Sequence, residues 1–478
     1  MTDAELNPAL PPAASFFPQR AYNHGAALCF VHVAKAAGTS VRLMMENAFP
    51  GEQVFPSGSP LFAGRYVELS EIIQGGEDLG SYAALSGHFG TMVGERMNAR
   101  TNMFTWLRDP ADRAISDFFF FVAQEQKGGT YRPYLERLSA GERAEAVFLD
   151  WLAAPPPWYS RLQGMLAGGS QRNILRVMND GQALKSAALE SLRRVFFIGL
   201  MEDQEHSVDA LCALTSILPP KRDERRNSGV SRPARLHFTP EDQGRMEAVL
   251  ASDRAFYALA RQIYDLQMAE LAERSRTDPA LALIGDRDGL RRHILEQAAS
   301  RTPVLTTWRA WDPVLGENLD SREQLAPSGA PPSRWRWTGN SPDTFLYFRL
   351  PRRGAFELRI HLAPATPPGH AEQTTLKLFG EPVPMALAST PEGKTELVAT
   401  VPQSLANRLP ELAELHLHTS RMLDESTLVP YAGTRKLGLA IEAISATPVS
   451  AQTLFWRRFG GGRVAGLTRR LLRIASRF

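Results

Sequence analysis

Three short stretches of the chain carry side chains that could hold an anion and move a proton. The first is Lys35-Ala36-Ala37-Gly38-Thr39-Ser40. It combines a fixed positive charge, small residues that let backbone N–H groups approach a ligand, and a hydroxyl pair able to cap a helix. The second is Arg108-Asp109-Pro110-Ala111-Asp112-Arg113, with Ser116 three residues further on. An arginine and a serine together can grip a phosphate, one through charge-assisted bidentate bonds and the other as a hydroxyl donor. The third is Gly87-His88. An imidazole, with an ordinary pKa of about 6.5, can take the proton of an attacking hydroxyl near neutral pH. Neither a carboxylate pair nor a Cys/His spacing of metal type accompanies them, so no metal is expected.

Each stretch follows an apolar run. Residues 26–33, 82–86, 102–107 and 195–200 read as buried strands of a parallel sheet. Ligands of open parallel sheets lie along the C-terminal edge of the strands, so Lys35, His88 and Arg108 are expected on one side. After Ser40, the face Val41, Met44, Met45 and Ala48 predicts a helix whose N-terminal N–H groups and positive dipole end point back at the lysine, with Thr39 or Ser40 as cap. Asp109 and Pro110 should open a second helix through 114–123. Further helices are expected over 142–152 and on the face Val208, Leu211, Cys212, Thr215, Leu218. A long one should start at Thr239-Pro240-Glu241-Asp242, with the stripe Met246, Val249, Leu250, Phe256, Tyr257, Ala260, Ile263 and Tyr264. The Pro/Gly-rich stretch 155–170 reads as a surface excursion that could carry substrate contacts.

The order Lys, two small residues, Gly-Thr-Ser resembles the 5′-phosphosulfate loop of sulfotransferases that use 3′-phosphoadenosine 5′-phosphosulfate (PAPS), with Ala34 where that family commonly has Pro. Arg108-Asp-Pro-x-x-Arg113-x-x-Ser116, followed by aromatics, resembles the family's 3′-phosphate motif. Leu85-Ser86-Gly87-His88-Phe89-Gly90 is similar to the Gly-His segment of the heparan-sulfate 2-O-sulfotransferase branch. The resemblance implies an α/β fold, with a P-loop NTPase-like parallel sheet flanked by helices. It implies that Lys35, Ala37, Gly38, Thr39 and Ser40 hold the 5′ end of the nucleotide and Arg108 and Ser116 its 3′-phosphate. His88 would be the general base and Lys35 the second catalytic residue, with PAPS as donor and a carbohydrate or glycoconjugate as acceptor. Glu202 and the run Arg225-Arg226-Asn227-Ser228 match the family's strand-end acid and returning loop only loosely, which adds Arg226 as a nucleotide contact. The order GxxxxGK[ST] is absent, which disfavours an ordinary ATPase or GTPase. A kinase-like nucleotide enzyme and a non-catalytic nucleotide-binding scaffold of polysaccharide synthesis are the competing readings.

At 478 residues the chain should hold two or three domains. A net charge of +3 is too small to make nucleic acid the default partner. Cys29 and Cys212 both fall in apolar patterns, pointing to buried thiols and a reducing compartment. The start is acidic and then Pro/Ala-rich, without the basic and apolar segments of a signal peptide, so a cytoplasmic, bacterial enzyme is expected. Residues 1–24 read as a flexible lead, 25–274 as the sulfotransferase-like domain and 275–300 as a charged, partly helical connector. Short alternating runs over 301–448 predict an antiparallel β-sandwich. In it Trp308, Trp311, Trp335 and Trp337 should pack in the core in preference to forming a sugar-stacking platform, and His416 and His418 alternate with leucines. The tail 449–478 has seven arginines from Arg457 onward and could dock on the inner face of an anionic membrane.

Overall fold

The computed structural model describes residues 11–16, 22–56, 72, 76, 78–97, 101–125, 129–155, 166, 181–221, 236–325, 333–339, 341–424 and 436–449. Arg226, most of the 155–170 excursion and the arginine-rich tail lie outside the described residues. The chain divides into two compact units, Met1–Leu295 and Glu296–Phe478.

The first unit is built on five parallel strands: β1 (Leu28–Val31), β2 (Val54–Phe55), β3 (Ala84–Gly87), β4 (Asn102–Leu107) and β5 (Val195–Leu200). Their spatial order is β2-β3-β1-β4-β5. Every residue in them is buried, as expected of strands covered on both faces, so they read as continuous apolar runs. β1 is shorter than the expected 26–33, because the chain leaves the ladder at His32 to enter the lysine loop. β2 is an edge strand of two residues, too short for any sequence period.

The helices are α1 (Gly38–Ala48), α2 (Pro110–Gln124), α3 (Arg132–Ser139), α4 (Ala144–Ala153), α5 (Gly181–Arg194), α6 (Gln204–Thr215), α7 (Pro240–Arg274) and α8 (Arg287–Ala299). α3 buries no residue fully, but Tyr134, Leu135 and Leu138 pack partly buried against the core formed by α2 and α4. α7 opens with a reciprocal cap. Thr239 Oγ1 accepts from the Asp242 N–H at 3.1 Å, and the Asp242 carboxylate accepts from the Thr239 N–H at 3.0 Å. α8 is no free connector: Arg287 pairs with buried Asp209 on α6 at 2.7 Å, and Arg291 donates to the Pro219 carbonyl. The lead is also tied down where it is described. Ala13–Phe16 forms a turn against α7, and the Asn23 N–H donates to Asn102 Oδ1 at 3.0 Å.

The second unit is antiparallel. Its strands are β6 (Thr307–Arg309), β7 (Leu315–Glu317), β8 (Leu319–Leu325), β9 (Ser333–Gly339), β10 (Asp343–Phe348), β11 (Phe356–Leu362), β12 (Thr374–Leu378), β13 (Glu381–Val383), β14 (Met385–Ser389), β15 (Thr395–Val401), β16 (Ala413–Thr419), β17 (Leu423–Asp424) and β18 (Lys436–Pro448). One sheet runs β13-β12-β16-β10-β7 and the other β14-β15-β11-β18-β9-β8, with β6 and β17 also paired to β18. A single core draws Leu346, Leu376 and Leu415 from the first sheet and Leu358, Ile360 and Ile441 from the second. Trp308 lies in that core and Trp335 and Trp337 in a smaller one, while Trp311 is also buried. None of the four offers a flat exposed face to a sugar. Among the described residues, no helix is long and apolar enough to cross a membrane.

Candidate active site

Parallel strands end on a common edge, and here β1 lies between β3 and β4, with Val31 in register with Gly87 on one side and Thr105 on the other. The chain leaves β1 toward β2 and β3 and returns later as β4, so the strand order reverses at β1, the position at which open parallel sheets hold their ligands. Lys35, His88 and Arg108 stand just beyond the ends of these three strands. Arg108 Nη1 donates to the Lys35 carbonyl oxygen at 3.4 Å, and His88 Nδ1 lies 2.9 Å from the His32 carbonyl oxygen. The lysine loop is therefore bonded to the arginine segment on one side, and the end of β1 to the histidine segment on the other.

The loop turns through two left-handed residues, Lys35 at φ 65° and Ala37 at φ 57°, neither of them glycine. Such conformations cost about 1–3 kcal/mol each and persist where surrounding structure over-determines them. Ala37, not Thr39 or Ser40, occupies the N-cap of α1, because its left-handed turn already redirects the chain into the helix at Gly38. Thr39 and Ser40 lie in the first turn, half-buried, beside the loop. Gly38 has a further constraint: a Cβ there would stand 1.5 Å from His32 Nε2. The start of α1 thus sits directly on the His32 imidazole, which demands a residue without a side chain.

Lys35 Nζ stands 3.3 Å from the ring centroid of Phe120 on α2. Ser116, half-buried, precedes Phe120 by four residues and so shares its helix face. Burial pushes the Lys35 ammonium down to about 8, with Asp117 opposing the shift and Arg108 adding to it. Asp117 is 5% exposed and lies 3.9 Å from Arg113. Burial raises its pKa, against the pull of Arg113 and Lys35. Burial also lowers His88; its bond to the His32 carbonyl opposes this, while Arg42 and Lys35 reinforce it. His32 is held well below the ordinary value, by burial first and then by His88, Arg42 and Lys35. The two imidazoles stack with centroids 4.3 Å apart, and burial favours the neutral form of both. A carbonyl oxygen can only accept, so His88 Nδ1 carries the proton and Nε2 is its basic nitrogen.

No family model matches the chain, and no curated protein matches it. Among solved structures, the family 35 carbohydrate-binding module from Clostridium thermocellum is similar at 13% identity and TM-score 0.20, over 31% of this chain and 100% of that one. The module of the same family from Paenibacillus barcinonensis aligns at 14% identity and TM-score 0.19, over 30% and 99%. A sulfotransferase from Alicyclobacillus acidocaldarius aligns at 14% identity and TM-score 0.24, over 49% of this chain and 96% of that one.

The segment after Arg108 has its own supports. The Asp109 carboxylate accepts from the Ala111 and Asp112 N–H groups at 2.9 and 3.2 Å and pairs with Arg254. The Asp109 N–H donates to Glu202 Oε1 at 2.7 Å, and Tyr257 donates its hydroxyl to the other oxygen. Glu202 at the end of β5 thus fixes the backbone next to Arg108. His32, Arg42 and Asp117 join the site although no motif singled them out, whereas Phe120 is one of the aromatics that follow Ser116. The arrangement offers a cationic cradle built from Lys35, Arg108 and a helix start, beside a neutral imidazole with a basic Nε2.

Proposed function

We propose that the chain is a PAPS-dependent O-sulfotransferase, acting on a hydroxyl of a carbohydrate or glycoconjugate. The observation that carries this reading is the meeting of Lys35, His88 and Arg108 at one edge of one parallel sheet. The residues present fit a doubly charged nucleotide end: small side chains in the loop, a half-buried ammonium and an arginine bonded to the loop's own backbone. Lys35 and the backbone of Ala37, Gly38, Thr39 and Ser40 would hold the 5′ end, and Arg108 and Ser116 the 3′-phosphate. When bound, the donor supplies the sulfuryl group and departs as the bisphosphate nucleotide.

His88 Nε2 takes the proton of the acceptor hydroxyl, which a neutral imidazole can do and an imidazolium cannot. Lys35 and the N–H groups that open α1 meet negative charge as it grows on the leaving side, and preorganised donors need no rearrangement to do so. Oligosaccharide, exopolysaccharide, glycolipid and protein hydroxyls are all compatible acceptors. The β-sheet unit is read as an accessory domain of the same enzyme, and the chain as cytoplasmic. Calorimetry with 3′-phosphoadenosine 5′-phosphate, together with transfer from labelled PAPS to fractionated cell-envelope glycans, tests the proposal. Neither heat nor transfer with folded protein would overturn it, while heat without transfer would leave the scaffold reading in its place.

A further inference from the structure

The second unit carries its own group of chemistry-bearing side chains, independent of the site in the first. β16 alternates, with Ala413, Leu415, Leu417 and Thr419 buried and His416 and His418 half-exposed, so both imidazoles project from one face. Across the antiparallel ladder His418 is in register with Asp343 and His416 with Phe345 on β10. One oxygen of Asp343 meets both rings, at 2.7 Å from His416 Nε2 and 2.8 Å from His418 Nδ1. The three donor atoms lie within 4.8 Å of one another, the one such group of three among the described residues.

We propose that Asp343, His416 and His418 bind a divalent transition-metal ion of the zinc class through Oδ1, Nε2 and Nδ1. Two imidazoles and a carboxylate are a donor set suited to zinc and its neighbours and poorly suited to calcium or magnesium. Metal–ligand bonds of about 2.0–2.2 Å in a tetrahedron put ligand atoms roughly 3.3–3.6 Å apart, so the two Asp343 contacts, at 2.7 and 2.8 Å, need to open by about 0.5–0.9 Å. Side-chain rotation supplies that without moving the ladder. The site is reachable from solvent, since the Asp343 and His418 side chains are 41% and 42% exposed. Three protein ligands with an accessible fourth position form an open centre that a water or a ligand oxygen completes. The Phe345 ring stacks on His416 at 4.4 Å and 21°, holding that imidazole in its ligating orientation. Without metal, the Asp343 oxygen accepts from both rings. On metal binding each neutral ring would carry its proton on its other nitrogen, leaving the lone pair of His416 Nε2 and of His418 Nδ1 for the ion, which would staple β10 to β16 in the middle of their sheet.

The full chain, stripped with chelator, should bind one Zn²⁺ in a calorimetric titration and melt at higher temperature with the ion present. Co²⁺ should give the visible absorption of a tetrahedral centre. His418→Ala and Asp343→Asn change half-exposed side chains, and circular dichroism checks that both variants fold. Each should weaken Zn²⁺ binding by roughly 100-fold or more and abolish the Co²⁺ absorption. Failure of the folded native chain to bind stoichiometrically, or equal binding by His418→Ala, overturns the proposal.

Discussion

His88 Nδ1 lies 2.9 Å from the backbone carbonyl oxygen of His32, and the two rings stack at 4.3 Å. One histidine thereby sets the tautomer of the other, and the shared burial keeps both neutral. The pH behaviour of the proposed reaction follows from this pair. His88 must be deprotonated to act, and its pKa is lowered, so kcat/KM should be flat near neutrality and fall only as pH drops through a value below about 6.5. An acid limb centred above that value would count against His88 as base. His88→Ala should lower kcat by about 10²–10⁴ with nucleotide affinity little changed.

Lys35 titrates at about 8 in the free protein, so above that pH it is mostly neutral. A bound anion favours the ammonium and raises this pKa, so nucleotide binding at pH 9 should take up a proton, and affinity should decline as pH rises through 8. Calorimetry at pH 9 in buffers of different ionisation enthalpy measures the uptake, which Lys35→Met should abolish. Binding at pH 9 without proton uptake in the native chain would refute the placement of Lys35 at the anion.

Gly38→Ala should destabilise the first unit by about 1–3 kcal/mol, since the added methyl falls on the His32 ring. The double variant His32→Ala/Gly38→Ala should lose much less than the two single effects added together, because the missing imidazole vacates the space. Urea denaturation of the three variants reads the coupling, and strict additivity would show that the two residues do not meet.

Glu202→Ala removes the acceptor of the Asp109 N–H at an exposed position that water can fill, and should cost about 0.5–1.5 kcal/mol, while Tyr257→Phe removes one hydroxyl and should cost about 1 kcal/mol. Because Glu202 holds the residue next to Arg108, Glu202→Ala should also weaken binding of 3′-phosphoadenosine 5′-phosphate more than Tyr257→Phe does. Equal affinities in the two variants would limit Glu202 to a stability role.

Sequence alone determined the features that rest on local rules. Apolar runs at 102–107 and 195–200 match β4 and β5 residue for residue, the Asp109-Pro110 and Thr239-Pro240 caps open α2 and α7, and β16 alternates as its leucines predict. Periodicity and capping act over a few residues, so they can be read in order along the chain. Tertiary structure alone decided what depends on distant elements meeting: the seat of α1 on His32, Lys35 over Phe120, Asp117 among cations, and Asp343 between two histidines some seventy residues away. Strand order and ladder register create those contacts, and neither leaves a trace in local spacing.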